Sequence, residues 1–186
     1  MNLGLRFIGF FIFFITLLLL FVLVIQFIRY AFKKTTFPKK LAITTVTGFA
    51  LLIGIFLYIQ YFFTFALIDK TLMQPGMGPV LSPEKTYQAS VYYEPYGGVL
   101  GGVNAWVEVT NMLTDTTNII YYADAKSYTT IQWEDETVLA ISNMDPAYPN
   151  DHRNITLQVE NEIYHENGLA CQSLLLKRYE TCFQHE

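Results

Sequence analysis

The sequence predicts a membrane α-hairpin of two transmembrane helices followed by a small, mainly antiparallel β domain. Two uncharged stretches, residues 7–28 and 41–68, flank a short basic loop. Each stretch is long enough for a bilayer, which takes about 20 apolar residues to cross. Further along, apolar and polar residues alternate in short runs between turns, a pattern typical of half-solvated antiparallel strands. The 186 residues hold such a hairpin and one small domain.

Charge divides the chain at the same place. Residues 1–68 contain six of the 12 Lys and Arg and none of the 16 Asp and Glu, so they carry +6 and leave −10 for residues 69–186. The acidic part argues against nucleic acid as a partner, because that affinity rests on Lys and Arg neutralising phosphates. The loop at residues 29–40 is basic, so the positive-inside rule predicts that it is cytoplasmic and that both termini are extracytoplasmic. We therefore expect a multi-pass protein of the cell membrane, with the lipid bilayer as a partner.

The two apolar stretches are predicted to be retained helices. The first is too long for a signal peptide and lacks a small-residue cleavage site. The second contains Thr44-x-x-x-Gly48 and Ala50-x-x-x-Gly54, whose spacing of small residues lets helices approach closely. Packing against the first helix of the same chain is one interpretation, and a homodimer formed through the helices is the other.

Residues 69–83 are predicted to be a linker, because Pro and Gly interrupt regular structure there. The β domain then spans residues 84–186. Alternation predicts strands at 87–93, 103–110, 118–123, 131–133, 138–141 and 155–163. It places Tyr87, Ala89 and Val91 on a buried face and leaves Tyr92 and Trp106 on polar faces. A meander, a small sandwich and a partial barrel are all compatible with this pattern.

The phrase from Tyr96 to Gly102 contains four glycines, which permit positive φ and close backbone approach. A phosphate-binding loop would join a strand to a helix and include a lysine, whereas here one strand follows another. We predict a wide hairpin loop of nine residues, with a ligand- or partner-contacting loop as the alternative. The candidate binding residues are the loop residues Tyr96, Gly97, Gly98, Gly101 and Gly102, and the rings of Tyr92 and Trp106. Such rings most often pack across neighbouring strands, and this pair would form a binding platform if exposed.

Motifs for catalysis or metal binding are not found in the sequence. The carboxylates at residues 134–136 and at Asp145 and Asp151 lack the calcium-loop pattern, and we predict that they lie in solvated turns. The three histidines lack zinc-ligand spacing and are predicted to be on the surface. We expect no cofactor, no metal and no catalytic residue. An envelope-acting hydrolase or transferase with Glu134 and Asp135 as acid and base is an alternative, and a small membrane immunity or accessory subunit is another.

Both cysteines, Cys171 and Cys182, fall in the domain predicted to be outside, which favours a disulfide. Helical spacing of the apolar residues between them argues against it. One straight helix would separate the sulfurs by about 16 Å, whereas a bridge needs Cα atoms within ~7 Å. The turn signal Asn167-Gly168 favours a strand instead. The sequence favours the bridge and leaves the secondary structure of residues 169–182 open.

Three phrases resemble an uncharacterised family from Gram-positive bacilli. They are Ser82-Pro83…Tyr87, Tyr96-Gly97-Gly98…Gly101-Gly102-Val103-Asn104, and Gly168-Leu169-Ala170-Cys171…Tyr179-Glu180-Thr181-Cys182. The resemblance covers residues 80–184, and the two-cysteine ending is its most specific part. Members of this family join membrane helices to a small exported domain of unknown function. The resemblance therefore implies a bacterial plasma-membrane protein and no particular activity. Our leading hypothesis is a non-enzymatic, membrane-anchored extracytoplasmic β domain that binds or scaffolds another envelope component, and we expect an envelope protein as the partner.

Overall fold

The computed structural model describes residues 3–33, 36–68, 70–71, 73–97 and 101–185. Within these ranges the chain forms two long apolar helices and a mainly antiparallel β domain, so the predicted fold class is confirmed. The chain divides into two compact units, Met1–Phe62 and Phe63–Glu186.

The helices are α1 (Leu3–Lys33) and α2 (Lys39–Tyr61). Among the described residues, these two helices are long and apolar enough to cross a membrane, and they indicate membrane association. Their large apolar side chains are mostly exposed: Phe21 in α1 and Val46 in α2 are each 67% exposed. So much exposed apolar surface requires a nonaqueous environment or a partner.

Packing of α2 on α1 uses one of the two small-residue motifs. A Cβ atom at Gly48 would overlap the hydroxyl of Thr16 in α1, so glycine is what lets the two helices approach there. Thr45 is buried in the same region, and its hydroxyl donates to the carbonyl of Leu41 at 2.9 Å. A Cβ atom at Gly54, in contrast, would meet no described atom within 4 Å. The Ala50-x-x-x-Gly54 motif therefore does not take part in packing against α1.

The β domain begins with the 3₁₀ turn Phe65–Leu67 and contains one short helix, α3 (Leu169–Gln172). Its strands are β1 (Gln74–Pro75), β2 (Val80–Leu81), β3 (Tyr87–Tyr96), β4 (Gly102–Asn111), β5 (Thr116–Asp124), β6 (Tyr128–Trp133), β7 (Val138–Met144), β8 (Ile155–Gln158), β9 (Glu162–His165) and β10 (Thr181–Phe183).

These strands form two sheets. The larger has the order β1-β3-β4-β5-β9-β10, with β2 also paired to β3. It is antiparallel except that β9 runs parallel to both β5 and β10. The smaller sheet is antiparallel, in the order β6-β7-β8. Parallel neighbours need a long crossover, and the whole smaller sheet lies in the connection between β5 and β9. Both sheets contribute to one hydrophobic core, which is the sandwich among the predicted alternatives.

Two predicted segments differ from the observed strands. The predicted strand 155–163 is divided by a turn into β8 and β9, which belong to different sheets. Its alternation continues across the turn because both halves direct apolar side chains, including Leu157 and Ile163, into the shared core. The predicted linker contains β1 and β2, which pair with β3 through Gln74↔Tyr93 and Val80↔Ala89.

The apolar run that was predicted to continue to residue 68 ends as a helix at Tyr61. The residues that follow belong to the β domain. Phe63, Phe65 and Ile68 are each only 7% exposed and lie in its core. Composition could not separate these residues from α2, because a membrane helix and a protein core select the same apolar side chains.

The cysteine segment forms a bridge and not a long helix. Within it α3 ends at Gln172, and the chain returns as β10 alongside β9. Gly168 adopts φ of 67° at the turn into α3, a conformation that favours glycine. Cys171 and Cys182 are joined by a disulfide with a Cα–Cα distance of 5.1 Å, which confirms the predicted bridge.

Replacing both Cys171 and Cys182 with serine should lower the free energy of unfolding by ~2–3 kcal/mol, because the bridge restricts the unfolded chain. The measurement is chemical unfolding of the full chain in detergent. Peptide mapping without reductant should recover Cys171 linked to Cys182. Two free thiols in protein purified under oxidising conditions from its native envelope would contradict the bridge.

Candidate functional site

The glycine-rich phrase forms the end of the β3–β4 hairpin. Pairing extends from Tyr87↔Asn111 to Tyr96↔Gly102, so the loop is shorter than the nine residues predicted. Gly98 lies outside the described residues. Gly97 has φ of 75°, which favours glycine. The strands therefore pair as far as Tyr96 and Gly102, and the five residues 97–101 connect them.

The glycines on the β4 side of this turn make room for Tyr96. A Cβ atom at Gly101 would overlap the carbonyl oxygen of Tyr96, and one at Gly102 would lie 2.6 Å from its hydroxyl. The ring of Tyr96 consequently folds back across the hairpin and remains 45% exposed. A half-exposed tyrosine in a fixed position offers apolar area together with a polar hydroxyl, as binding anchors do.

Asp124, at the end of β5, is the polar neighbour of this ring. The hydroxyl of Tyr96 donates to Asp124 Oδ1 at 3.5 Å. Desolvation raises the pKa of Tyr96, and the charge of Asp124 raises it further. Lys126 Nζ lies 3.5 Å from the other carboxylate oxygen of Asp124. The hairpin end thus combines an exposed ring with one negative and one positive group.

A charged network lies beside Asp124 and connects the two sheets. Lys126 Nζ donates to Asp151 at 2.9 Å, and Arg153 contacts Asp151 at 2.7 Å and Glu166 at 2.5 Å. The second oxygen of Glu166 accepts the backbone N–H of Asp124 at 2.6 Å. Because these charges pair with one another, we interpret the network as a support that fixes Asp124.

Asn143 anchors this support from the core. Its side chain is fully buried, and its amide donates to the hydroxyl of Tyr121 at 2.8 Å and to the carbonyl of Asp124 at 2.9 Å. Its side-chain oxygen accepts from Thr129 and from the backbone of Lys126. Burial raises the pKa of Tyr121, which keeps that hydroxyl neutral. A buried amide with all these partners specifies one geometry.

Tyr92 and Trp106 lie together but do not form an exposed platform. They are paired across β3 and β4, with ring centroids 5.9 Å apart. Trp106, however, has no exposed surface, and its indole N–H donates to Glu108 at 3.4 Å. The two rings thus pack across the strands, and the face that carries Trp106, which was predicted to be polar, is covered by the segment that begins with Phe63.

Glu94 is a buried carboxylate on the same face as Trp106, and no motif in the sequence marks it. It is 8% exposed and accepts hydrogen bonds from the hydroxyl of Tyr122 at 3.2 Å and from the amide of Asn104 at 3.3 Å. The alternation placed Glu94 with Ser90 on the face predicted to be polar, so no local signal indicated its burial. The two donors explain how a carboxylate is accommodated there.

The carboxylates of the β6–β7 turn have structural roles. Desolvation opposes ionisation of Glu136, but hydrogen bonds from the backbone N–H of Glu84 at 2.6 Å and from the hydroxyl of Ser82 at 2.7 Å outweigh it and lower its pKa. Asp135 accepts the backbone N–H of Glu136 at 2.7 Å. In the described part of the chain, no group of three or more His, Cys, Asp or Glu side chains could hold a metal ion. Glu134 and Asp135 are adjacent residues of one hairpin turn and not carboxylates facing each other.

A shallow groove of about 400 Å³ lies on the outer face of the smaller sheet. Its lining is uncharged and comprises Thr130, Gln132, Ala140, Ile141, Ser142, Asn154, Ile155 and Thr156. The polar half of the strand alternation in β6 and β7 was the signal that could have revealed this face. Hydroxyl and amide groups give it hydrogen-bonding capacity without a charged or nucleophilic centre.

His165 was predicted to be on the surface, but it is only 2% exposed. Its ring lies 4.8 Å from that of Phe63 and 5.3 Å from that of Tyr122. Among the described residues, its Nδ1 has no hydrogen-bond partner. Burial lowers its pKa to about 4. Its position two residues after the buried Ile163 was the signal that it shares a covered face.

The chain belongs to a family of unknown function (DUF5412), whose model matches residues 36–166. The match covers α2 and the β domain as far as β9. It does not include the two-cysteine ending, which the sequence resemblance treated as the most specific part. No curated protein and no solved structure matches the chain.

The burial of His165 predicts a pH dependence of stability. The pKa falls from 6.5 to about 4 on folding, so the unfolded chain takes up a proton that the folded chain excludes. Stability should therefore decrease as the pH falls from about 6.5 towards 4. His165→Phe should flatten this dependence between pH 7 and pH 5, measured by thermal unfolding of the full chain in detergent. His152→Phe, at an exposed position, is the control and should keep the wild-type slope.

Proposed function

We propose that this member of DUF5412 is a membrane-anchored module whose β domain binds another envelope protein. In this proposal α1 and α2 provide the anchor, and the end of the β3–β4 hairpin provides the binding surface. One observation carries it: the ring of Tyr96 packs over Gly102 and its hydroxyl donates to Asp124, yet the residue remains 45% exposed. A fixed aromatic ring binds with a smaller loss of conformational freedom than a mobile one.

The chemistry of the hairpin end defines what would fit it. Tyr96 offers a ring for apolar contact, and Asp124, whose side chain is 43% exposed, offers a polar contact beside it. Protein interfaces commonly combine an aromatic anchor with a polar rim of this kind. We therefore favour a protein surface as the partner.

The β domain is proposed to be extracytoplasmic, in a bacterial plasma membrane. Support comes from the basic residues between the helices, which the positive-inside rule assigns to the cytoplasm. The Cys171–Cys182 disulfide supports the same orientation, because such bonds persist in oxidising compartments.

Association through the helices is a second proposal. The observation that favours it is Gly54, which has open space around it, with exposed Ala50 one turn earlier. Small residues at this spacing permit close approach of another membrane helix, including α2 of a second copy. A homodimer formed in this way would present two β domains to the partner.

The binding proposal predicts a difference between positions 96 and 128. A photo-crosslinking amino acid at Tyr96 should form an adduct with a protein in native membranes. The same amino acid at Tyr128, which is 62% exposed on the smaller sheet, is the matched control and should form no adduct.

Glycine variants test the same surface. Gly102→Ala should displace the Tyr96 ring and abolish co-purification of the partner while leaving thermal stability unchanged. Gly97→Ala should instead lose ~1 kcal/mol or more, because its φ is positive. If co-purification of the partner falls only in proportion to the loss of thermal stability in both variants, the hairpin end connects two strands and is not a binding surface.

The orientation predicts which positions react from outside the cell. A cysteine at Leu113, which is 81% exposed at the tip of the β4–β5 hairpin, should react with an impermeant thiol reagent in intact cells. A cysteine at Thr36, in the basic loop, should react only after permeabilisation. The native cysteines are bridged and should not contribute. The opposite labelling pattern would overturn the orientation.

A further inference from the structure

The turn after α3 exposes two leucines next to two basic residues. Leu174 is 48% exposed and Leu175 is 56% exposed. Lys177 and Arg178 follow and are exposed as well. Leu176 between them is buried and fixes the turn to the domain core. We call Leu174, Leu175, Lys177 and Arg178 the 174–178 patch.

This patch is held next to the place where the chain enters the β domain. The hydroxyl of Ser173 donates to the carbonyl of Phe63 at 2.6 Å, and the backbone N–H of Leu175 donates to the hydroxyl of Ser173 at 3.1 Å. Phe63 is the second residue after Tyr61, the last residue of α2. The Cys171–Cys182 bridge restrains the same turn from its other side. Two hydrogen bonds thus connect the backbone of the patch to a residue that follows the membrane-spanning candidate helix.

Charge distinguishes the patch from the rest of the domain. Residues 69–186 carry −10. Of the four cations outside the patch, Lys70, Lys126 and Arg153 are each paired with a carboxylate, and Lys85 lies by itself in sequence, in a separate turn. Lys177 and Arg178 form no ion pair with the part of the chain that the structure describes. Arg178 instead donates to Asn118 at 2.7 Å and lies 4.7 Å above the ring of Tyr179. The patch is therefore a positive site on an acidic domain.

We propose that the 174–178 patch docks the β domain onto anionic lipid. In this arrangement Leu174 and Leu175 enter the boundary between headgroups and acyl chains, and Lys177 and Arg178 contact lipid phosphates. Exposed leucines flanked by basic residues are the composition of interfacial membrane anchors. The inference rests on the proposed membrane anchorage. Because the helices already hold the domain at the bilayer, even a weak contact is favoured by a high effective concentration.

The test uses the full chain in vesicles of phosphatidylcholine with or without phosphatidylglycerol. An environment-sensitive dye is attached to a cysteine at position 175, and lipids with brominated acyl chains quench it if it enters the bilayer. We expect quenching at position 175 in vesicles that contain phosphatidylglycerol. A dye at position 113, on the exposed β4–β5 tip, is the control and should not be quenched.

Charge variants test the electrostatic part. Lys177→Gln and Arg178→Gln should each lower the ratio of docked to undocked domains by roughly fivefold, which corresponds to about 1 kcal/mol per charge. Lys85→Gln, which removes an exposed charge from a turn elsewhere, should not change it. Thermal unfolding of each variant shows whether the fold is kept.

Three results would overturn the docking proposal. If the chain floats with vesicles but position 175 is not quenched more than position 113, the patch does not dock and the anchor remains. If quenching is equal with and without phosphatidylglycerol, anionic lipid is not the ligand. If position 175 is unquenched in vesicles but crosslinks to a protein in native membranes, the patch binds protein. Failure of the chain to insert at all would reject the membrane anchorage and the docking together.

Discussion

The larger sheet of the β domain must be covered on both of its faces, and the rest of the domain follows from this requirement. Tyr121 and Trp106 lie on adjacent strands, are directed to opposite faces, and both have no exposed surface. The smaller sheet covers the face of Tyr121, and the segment with Phe63 and Phe65 covers the face of Trp106. Apolar residues that follow α2 in sequence are consequently part of the domain core. A domain boundary placed at residue 69, where the amino-acid composition changes, would separate Phe63 and Phe65 from the β domain whose sheet they cover.

This requirement explains where alternation predicted burial correctly and where it did not. Tyr87, Ala89 and Val91 were correctly placed in the core, because their face meets the smaller sheet. Trp106 was placed on a polar face and His165 on the surface, but the segment that covers them lies outside the range in which strands were predicted. The two-residue alternation along a strand identifies which residues share a face of the sheet, but it does not show whether a distant segment covers that face.

Polar contacts between distant parts of the chain were the least predictable features. Glu136 accepts hydrogen bonds from Ser82 and Glu84, 54 and 52 residues earlier, and Asn143 joins the two sheets. Nothing in the local sequence of either residue indicates its partners. The cysteine pair was easier to interpret, since only two cysteines are present and their distribution favoured oxidation. The glycine phrase was recognised as unusual, but its association with Asp124, which is 28 residues from Tyr96, depends on the order of the strands.

Gly101 and Gly102 are explained by their close approach to Tyr96, and the question of function then becomes why the tyrosine is kept there. Its hydrogen bond to Asp124 is long at 3.5 Å, and its ring is 45% exposed, so it contributes little to stability. Gly101 and Gly102 meanwhile increase the conformational entropy of the unfolded chain, which lowers the stability of the folded state. This combination, an exposed ring that gains little for the fold and lies beside Asp124 on a buried support, is the basis of the proposed binding surface. The same comparison distinguishes Tyr96 from Trp106, whose burial gives it a sufficient structural role.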